Sequence, residues 1–112
     1  MGPSGSPKQK VELLSECISL VANALDRQAF TTLFDHYAPL IRAYSLAQEP
    51  GADLVADELV QEVMIRVWLK AKSYDPCLSN INTWLFRLAR NCRIDYLRRN
   101  GRFASGIDPT EI

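Results

Sequence analysis

The chain has 112 residues, 47% of them hydrophobic, with 13 basic and 13 acidic side chains and a formal net charge of zero. That is enough for one small domain with a real core, too little for two ordinary domains, and not the balance of a generally cationic protein. No apolar run approaches the roughly 18–20 residues of a membrane span, and no secretory signal opens the chain.

Met1-Gly2-Pro3-Ser4-Gly5-Ser6-Pro7 reads as a flexible leader or expression scar, and residues 1–10 are set outside the domain. Val11, Leu14, Ile18, Val21, Ala22 and Leu25 then recur at helical spacing, which predicts a first helix from about Val11 to Leu25. Asp26-Arg27-Gln28 is a break or a bend. A second helix is expected from Gln28 to Gln48, with Phe30, Leu33, Phe34, Tyr37, Leu40, Ile41, Tyr44 and Ser45 on one side. Pro39 sits inside it and is expected to kink or split it, because proline removes a helical hydrogen bond.

Glu49-Pro50-Gly51-Ala52 is a turn signal. Asp53 is the expected N-cap of a third helix over Leu54 to Lys72, whose apolar stripe is Leu59, Val60, Val63, Met64, Val67, Trp68 and Ala71. Acids gather at its start and bases at its end, as the helix dipole favours. Asp75 precedes a proline, so Ser73-Tyr74-Asp75-Pro76 ends the helix. A loop through Cys77 to Asn82 leads to a fourth helix from about Asn82 to Asn100, capped by Asn82 or Ser79 and stopped by Gly101. Residues 103–112 are a frayed tail or the start of a linker. With no repeat and no convincing strand, the expected architecture is an all-α bundle of about four helices over residues 11–102.

The zero net charge conceals an asymmetry. From Asn82 to Arg102 there are six arginines and one acid, Asp95. At about 100° per residue, Leu85, Leu88, Ala89, Cys92 and Tyr96 fall on one side of the fourth helix, and Arg87, Asn91 and Arg98 on the other, flanked by Arg90 and Arg102. Arginine offers a planar fork suited to phosphates and base edges, so this face points to nucleic acid. The preceding Ser79-Asn80-Ile81-Asn82-Thr83 can hydrogen-bond an unstacked base, with Trp84 either an aromatic platform or a core residue. On the third helix, Asp57, Glu58, Gln61 and Glu62 share a polar side, which is either a solvated face or a docking surface for a basic partner.

Enzyme chemistry has no support. There is no Ser/His/Asp constellation, no phosphate-binding glycine loop and no histidine–carboxylate site. Cys17, Cys77, Cys92 and His36 lack metal-ligand spacing, so no metal or cofactor is expected, and the thiols suit a reduced, cytoplasmic protein.

The order Asp57-Glu58-Leu59-Val60-Gln61-Glu62-Val63, then Tyr74-Asp75-Pro76, then the run from Thr83 to Arg99 resembles region 2 of extracytoplasmic-function sigma factors over about Ala29 to Arg102. Within that family it looks like members held by zinc-containing anti-sigma proteins. The resemblance implies a transcription initiation factor. Asp57, Glu58, Gln61 and Glu62 match positions that bind the clamp helices of the largest catalytic subunit of core RNA polymerase. Cys77 to Thr83 matches a loop that captures a flipped non-template base of the promoter −10 element. Trp84 to Arg99 matches a DNA-facing helix, with Arg87, Arg90, Asn91, Arg93, Arg98 and Arg99 toward promoter DNA. The resemblance further implies an anti-sigma partner over the Asp57–Glu62 surface. The family's second helical domain, which binds the −35 element, has no counterpart in this sequence, so a domain of a longer protein is expected. Two other readings compete: an interaction module that meets only a regulator, and a general helical binder of RNA or single strands.

Overall fold

The computed structural model describes residues 7–101. Four α-helices fill most of that span: α1 Pro7–Ala24, α2 Arg27–Gln48, α3 Asp53–Lys70 and α4 Ile81–Arg99, with one 3-10 turn, Ala71–Ser73, after α3. The all-α expectation holds, with no strand among the described residues. The readings for residues 1–6 and 102–112, Arg102 included, lie outside them. Residues 7–10, assigned to the leader, are helical, and Pro7 stands at the first helical position, where its missing N–H costs nothing.

α1 turns its Leu14, Cys17, Ile18 and Val21 inward, packed chiefly on α2 and on the 3-10 turn. Leu25, expected on this stripe, is 62% exposed, because the helix has already ended. Leu25 takes the left-handed φ of 50°, and its N–H bonds back to the Val21 carbonyl at 3.1 Å. The next residue starts α2: the Asp26 carboxylate accepts the Ala29 N–H at 3.0 Å, an N-cap contact.

α2 buries Ala29, Leu33, Tyr37, Ile41 and Ser45, one residue per turn. Phe34 and Leu40, assigned to the same side, stay at the surface. α2 runs unbroken through Pro39. The proline is exposed, so the Asp35 carbonyl that loses its helical donor lies where water can replace it. Glu49 to Ala52 closes the α2–α3 connection: the Ala52 N–H donates to the Glu49 carbonyl at 3.2 Å, and Gly51 supplies the φ of 84° that the third turn residue requires.

Asp53 is not the cap of α3. Ala52 holds that position with no side-chain bond, and Asp53 is the first helical residue, where its charge still meets the dipole. The stripe Leu59, Val60, Val63, Met64 and Val67 is buried, with Ala71 continuing it into the 3-10 turn. Trp68 is half-buried and packs edge-on against Phe30 of α2, ring centroids 5.3 Å apart. α4 closes the bundle with Ile81, Leu85, Ala89 and Cys92, all fully buried. Each large aliphatic side chain taken from water this way contributes about 1.5–3 kcal/mol against chain entropy. Gly101, at a φ of 62°, follows the C-cap Asn100 and stops α4 as expected.

A candidate nucleic-acid and partner interface

The connection from α3 to α4 is held by its own chemistry. The Asp75 carboxylate accepts the Cys77 N–H at 2.8 Å, and the Asp75 carbonyl accepts the Leu78 and Ser79 N–H groups at 3.0 and 3.3 Å. One short acid thus folds three following residues back on themselves, which is what Asx residues do before a turn. Cys77 and Leu78 are left exposed at its tip.

The cap of α4 is Asn80, neither Ser79 nor Asn82. Its Oδ1 accepts the Thr83 N–H at 2.9 Å. Asn82 lies inside the first turn, exposed, and its Oδ1 accepts a hydrogen bond from the Tyr37 hydroxyl of α2. Burial, reinforced by Tyr74, raises the Tyr37 pKa above its ordinary value, so the phenol keeps its proton and remains a donor.

Two residues placed on the nucleic-acid surface face the other way. Ile81 is fully buried, since the first residue of α4 lands over the core. Trp84 is only 9% exposed and stacks at a tilt on Tyr74, centroids 5.4 Å apart. The platform reading of Trp84 therefore gives way to the core reading. Ser79, Asn80, Asn82 and Thr83 retain accessible surface. Tyr74, part of the turn signal in the sequence, is the half-buried aromatic that packs on Trp84.

Along α4, Arg87, Arg90, Asn91, Arg98 and Arg99 are exposed and Arg93 is half-buried. Arg87 and Arg90 make no ion pair among the described residues. By contrast, Arg99 Nη2 donates to both Glu62 oxygens, at 2.9 and 3.2 Å. Asp95 accepts from Arg66 at 3.0 Å and lies 3.9 Å from Arg98. One Arg93 guanidinium nitrogen is enclosed without a hydrogen-bond partner, so this arginine is turned partly into the bundle.

The acidic side chains of α3 form a ridge. Asp57, Glu58 and Gln61 are exposed and Glu62 is half-buried. Arg42 of α2 donates to Asp57 at 3.0 Å and holds that carboxylate at one edge. A shallow groove on one flank of the ridge is lined by Phe34, Ala38, Pro39 and Val60, and one on the other by Ile65 and Leu69. Ile65 and Leu69, one turn apart on α3, are 58% and 72% exposed and add apolar surface beside the acids. Acids beside apolar grooves suit a partner helix that carries basic and aliphatic residues. The acids are legible in the sequence, whereas Ile65 and Leu69, which stand off the core stripe of α3, show their place beside the ridge only in the fold.

Ridge and arginine face belong to neighbouring helices. Glu62 meets Arg99, and one turn further along α3, Arg66 meets Asp95, one turn back along α4. α3 and α4 therefore run antiparallel, with the acidic ridge alongside the C-terminal half of α4 and the loop at the opposite end. No helix among the described residues is long and apolar enough to cross a membrane.

Comparison with known proteins gives this arrangement a context. Residues 33–103 match the family described as Sigma-70 region 2. The ECF RNA polymerase sigma factor RpoE of Cereibacter sphaeroides is 41% identical over 75 residues, covering 67% of this chain and 41% of that protein. SigL of Mycobacterium tuberculosis, another ECF RNA polymerase sigma factor, is 30% identical over 90 residues, covering 80% of this chain and 50% of its own length. Among solved structures, Rhodobacter sphaeroides SigE in complex with the anti-sigma ChrR superposes with a TM-score of 0.66 at 32% identity, over 72% of this chain and 46% of that one. The chain thus spans half or less of the length of these relatives.

Proposed function

The chain belongs to the Sigma-70 region 2 family, a family of transcription initiation factors and not of enzymes, and we propose that it joins core RNA polymerase to promoter DNA through its two exposed faces. The ridge of Asp57, Glu58, Gln61 and Glu62 takes the polymerase clamp helices, whose basic residues meet the acids while aliphatic ones enter the flanking grooves. The loop end, through Ser79, Asn80, Asn82 and Thr83, receives a flipped non-template base of the −10 element. Arg87, Arg90 and Asn91 hold the strand, while Arg93, turned partly into the bundle, and Arg98 and Arg99, beside bundle acids, stand outside that contact.

The observation that carries this reading is the contrast on α4. Arg98 and Arg99 stand near acids of the bundle, whereas Arg87 and Arg90, next to the ordered loop, are exposed and without ion pairs among the described residues. Unneutralised guanidinium groups beside accessible amide and hydroxyl side chains combine phosphate contacts, which position, with base contacts, which specify. Taking a base out of its stack costs a few kcal/mol, which hydrogen bonds from these side chains are to offset.

The likeness to SigE in complex with ChrR supports a third partner. An anti-sigma protein over the same α3 ridge excludes polymerase by occupying its acids and grooves. The test is binding of the folded chain to core RNA polymerase, or to its isolated clamp helices, with Glu58→Lys and Glu62→Lys beside the wild type. Saturable binding lost on charge reversal is the expected result. A folded wild type that does not bind overturns the polymerase assignment and leaves a module that meets only its regulator.

A further inference from the structure

Tyr37 is fully buried on α2, its ring edge-on to His36 at 4.7 Å and to Phe86 of α4 at 6.4 Å. Its hydroxyl nevertheless ends at the Oδ1 of Asn82, an exposed residue in the first turn of α4. A free asparagine amide can present either its carbonyl oxygen or its NH2 group to a ligand. Here the oxygen is tied to a donor that comes from the core. The NH2 group, with its two donors, is the part left for the outside. The position reinforces this: the first turn of a helix carries unpaired N–H groups and positive partial charge, so acceptors are favoured there.

We propose that Tyr37 is a positioning residue for base recognition. It biases Asn82 to present its NH2 group, which favours an unstacked base with two adjacent acceptors on one edge over adenine. Guanine offers such a pair in O6 and N7, and cytosine in O2 and N3. Adenine pairs with asparagine in two-point fashion only if the amide oxygen accepts from its amino group, and Tyr37 already holds one of that oxygen's two lone pairs and fixes its direction. The inference rests on the nucleic-acid reading of the loop end and adds to it a residue that never touches DNA.

The test uses the chain with short single-stranded oligonucleotides: homopolymers of dA, dC and dT, and an alternating dG–dT strand. Affinities are measured by fluorescence anisotropy for the wild type, Tyr37→Phe, Asn82→Ala and the double variant. The dC and dG–dT arms separate the two acceptor-bearing bases. The wild type is expected to prefer at least one of them over dA by about tenfold, the discrimination of a modest two-point contact. Tyr37→Phe keeps the ring and the packing. It should reduce that preference to under about twofold while leaving the slope of affinity against salt, which counts phosphate contacts, unchanged. In the Asn82→Ala background, Tyr37→Phe should have no further effect on preference.

Four results overturn the inference. Retention of the wild-type preference by Tyr37→Phe is one, and weaker binding to every strand by the same factor, which marks a purely structural role, is another. A wild type that binds all strands equally well sinks the positioning role and spares the nucleic-acid reading. Failure of every folded variant to bind any strand sinks both.

Discussion

Asn80 has two assignments that a pair of substitutions can separate. Its side chain caps α4 by accepting the Thr83 N–H at 2.9 Å, and it lies in the segment proposed to meet a flipped base. Asn80→Ala removes the acceptor from a solvent-exposed first turn, where water can partly replace it, so the cost falls in the lower half of the usual range, about 0.5–1 kcal/mol. In a domain of this size that corresponds to roughly 2–8 °C in Tm. Asn80→Asp caps as well as asparagine and adds a charge that the helix dipole favours, so its Tm should equal or slightly exceed that of the wild type. The same change deletes the two amide donors and brings a carboxylate toward phosphate. Thermal melts followed by circular dichroism, paired with promoter opening in reconstituted polymerase, separate the roles. Asn80→Ala should lose both stability and opening, and Asn80→Asp opening alone. An unchanged melt for Asn80→Ala refutes the capping argument, and full opening by Asn80→Asp refutes direct recognition by this side chain.

Leu85→Ala, at a fully buried position of α4, should cost about 2–5 kcal/mol, read from a urea midpoint. Arg87→Ala and Arg90→Ala should each lower DNA affinity uniformly across sequences and reduce the salt slope by about 0.7–0.9, which titrations at several salt concentrations report. Burial pushes the Cys92 thiol from its ordinary 9.0 up to about 11, with Arg66 pulling the other way. Because the folded pKa lies above the unfolded one, this contribution to stability is whole below about pH 9 and lost as pH rises through about 11. Urea midpoints across that range should fall more steeply for the wild type than for Cys92→Ala, and equal slopes would refute it. A charged thiol reagent should label Cys77 alone in the folded chain, since Cys17 and Cys92 are buried.

What the sequence disclosed follows from what periodicity can encode. Leu14, Ile18 and Val21, Leu33, Tyr37 and Ile41, and the α3 stripe were all legible because each recurs at one helical turn, and burial of that side is what holds the helix in place. The ends were less legible. Asp53 looks like a cap, yet the turn through Gly51 brings Ala52 to that position. Ser79, Asn80 and Asn82 are chemically equivalent candidates, and only the folded turn after Asp75 decides for Asn80. Ile81 and Trp84 were grouped with the loop by proximity in sequence, and the first turn of α4 carries both into the core. Contacts across long sequence separations, such as Tyr37 to Asn82 and Arg99 to Glu62, have no local signature and appear only when helices pack.

The antiparallel pairing of α3 and α4 has a bearing on how such a domain can diversify. Glu62 with Arg99 and Arg66 with Asp95 lie far from the connection through Asp75 to Asn80, and the buried stripes between the helices index one against the other. Residues can be added to or removed from the exposed tip around Cys77 and Leu78 without turning either helix. An insertion of one residue inside α4 would instead rotate everything beyond it by about 100° and carry the arginines off their face. If the loop end meets a base as proposed, it is an exchangeable reading head on a fixed ruler, and changes there leave the register of the acidic ridge untouched.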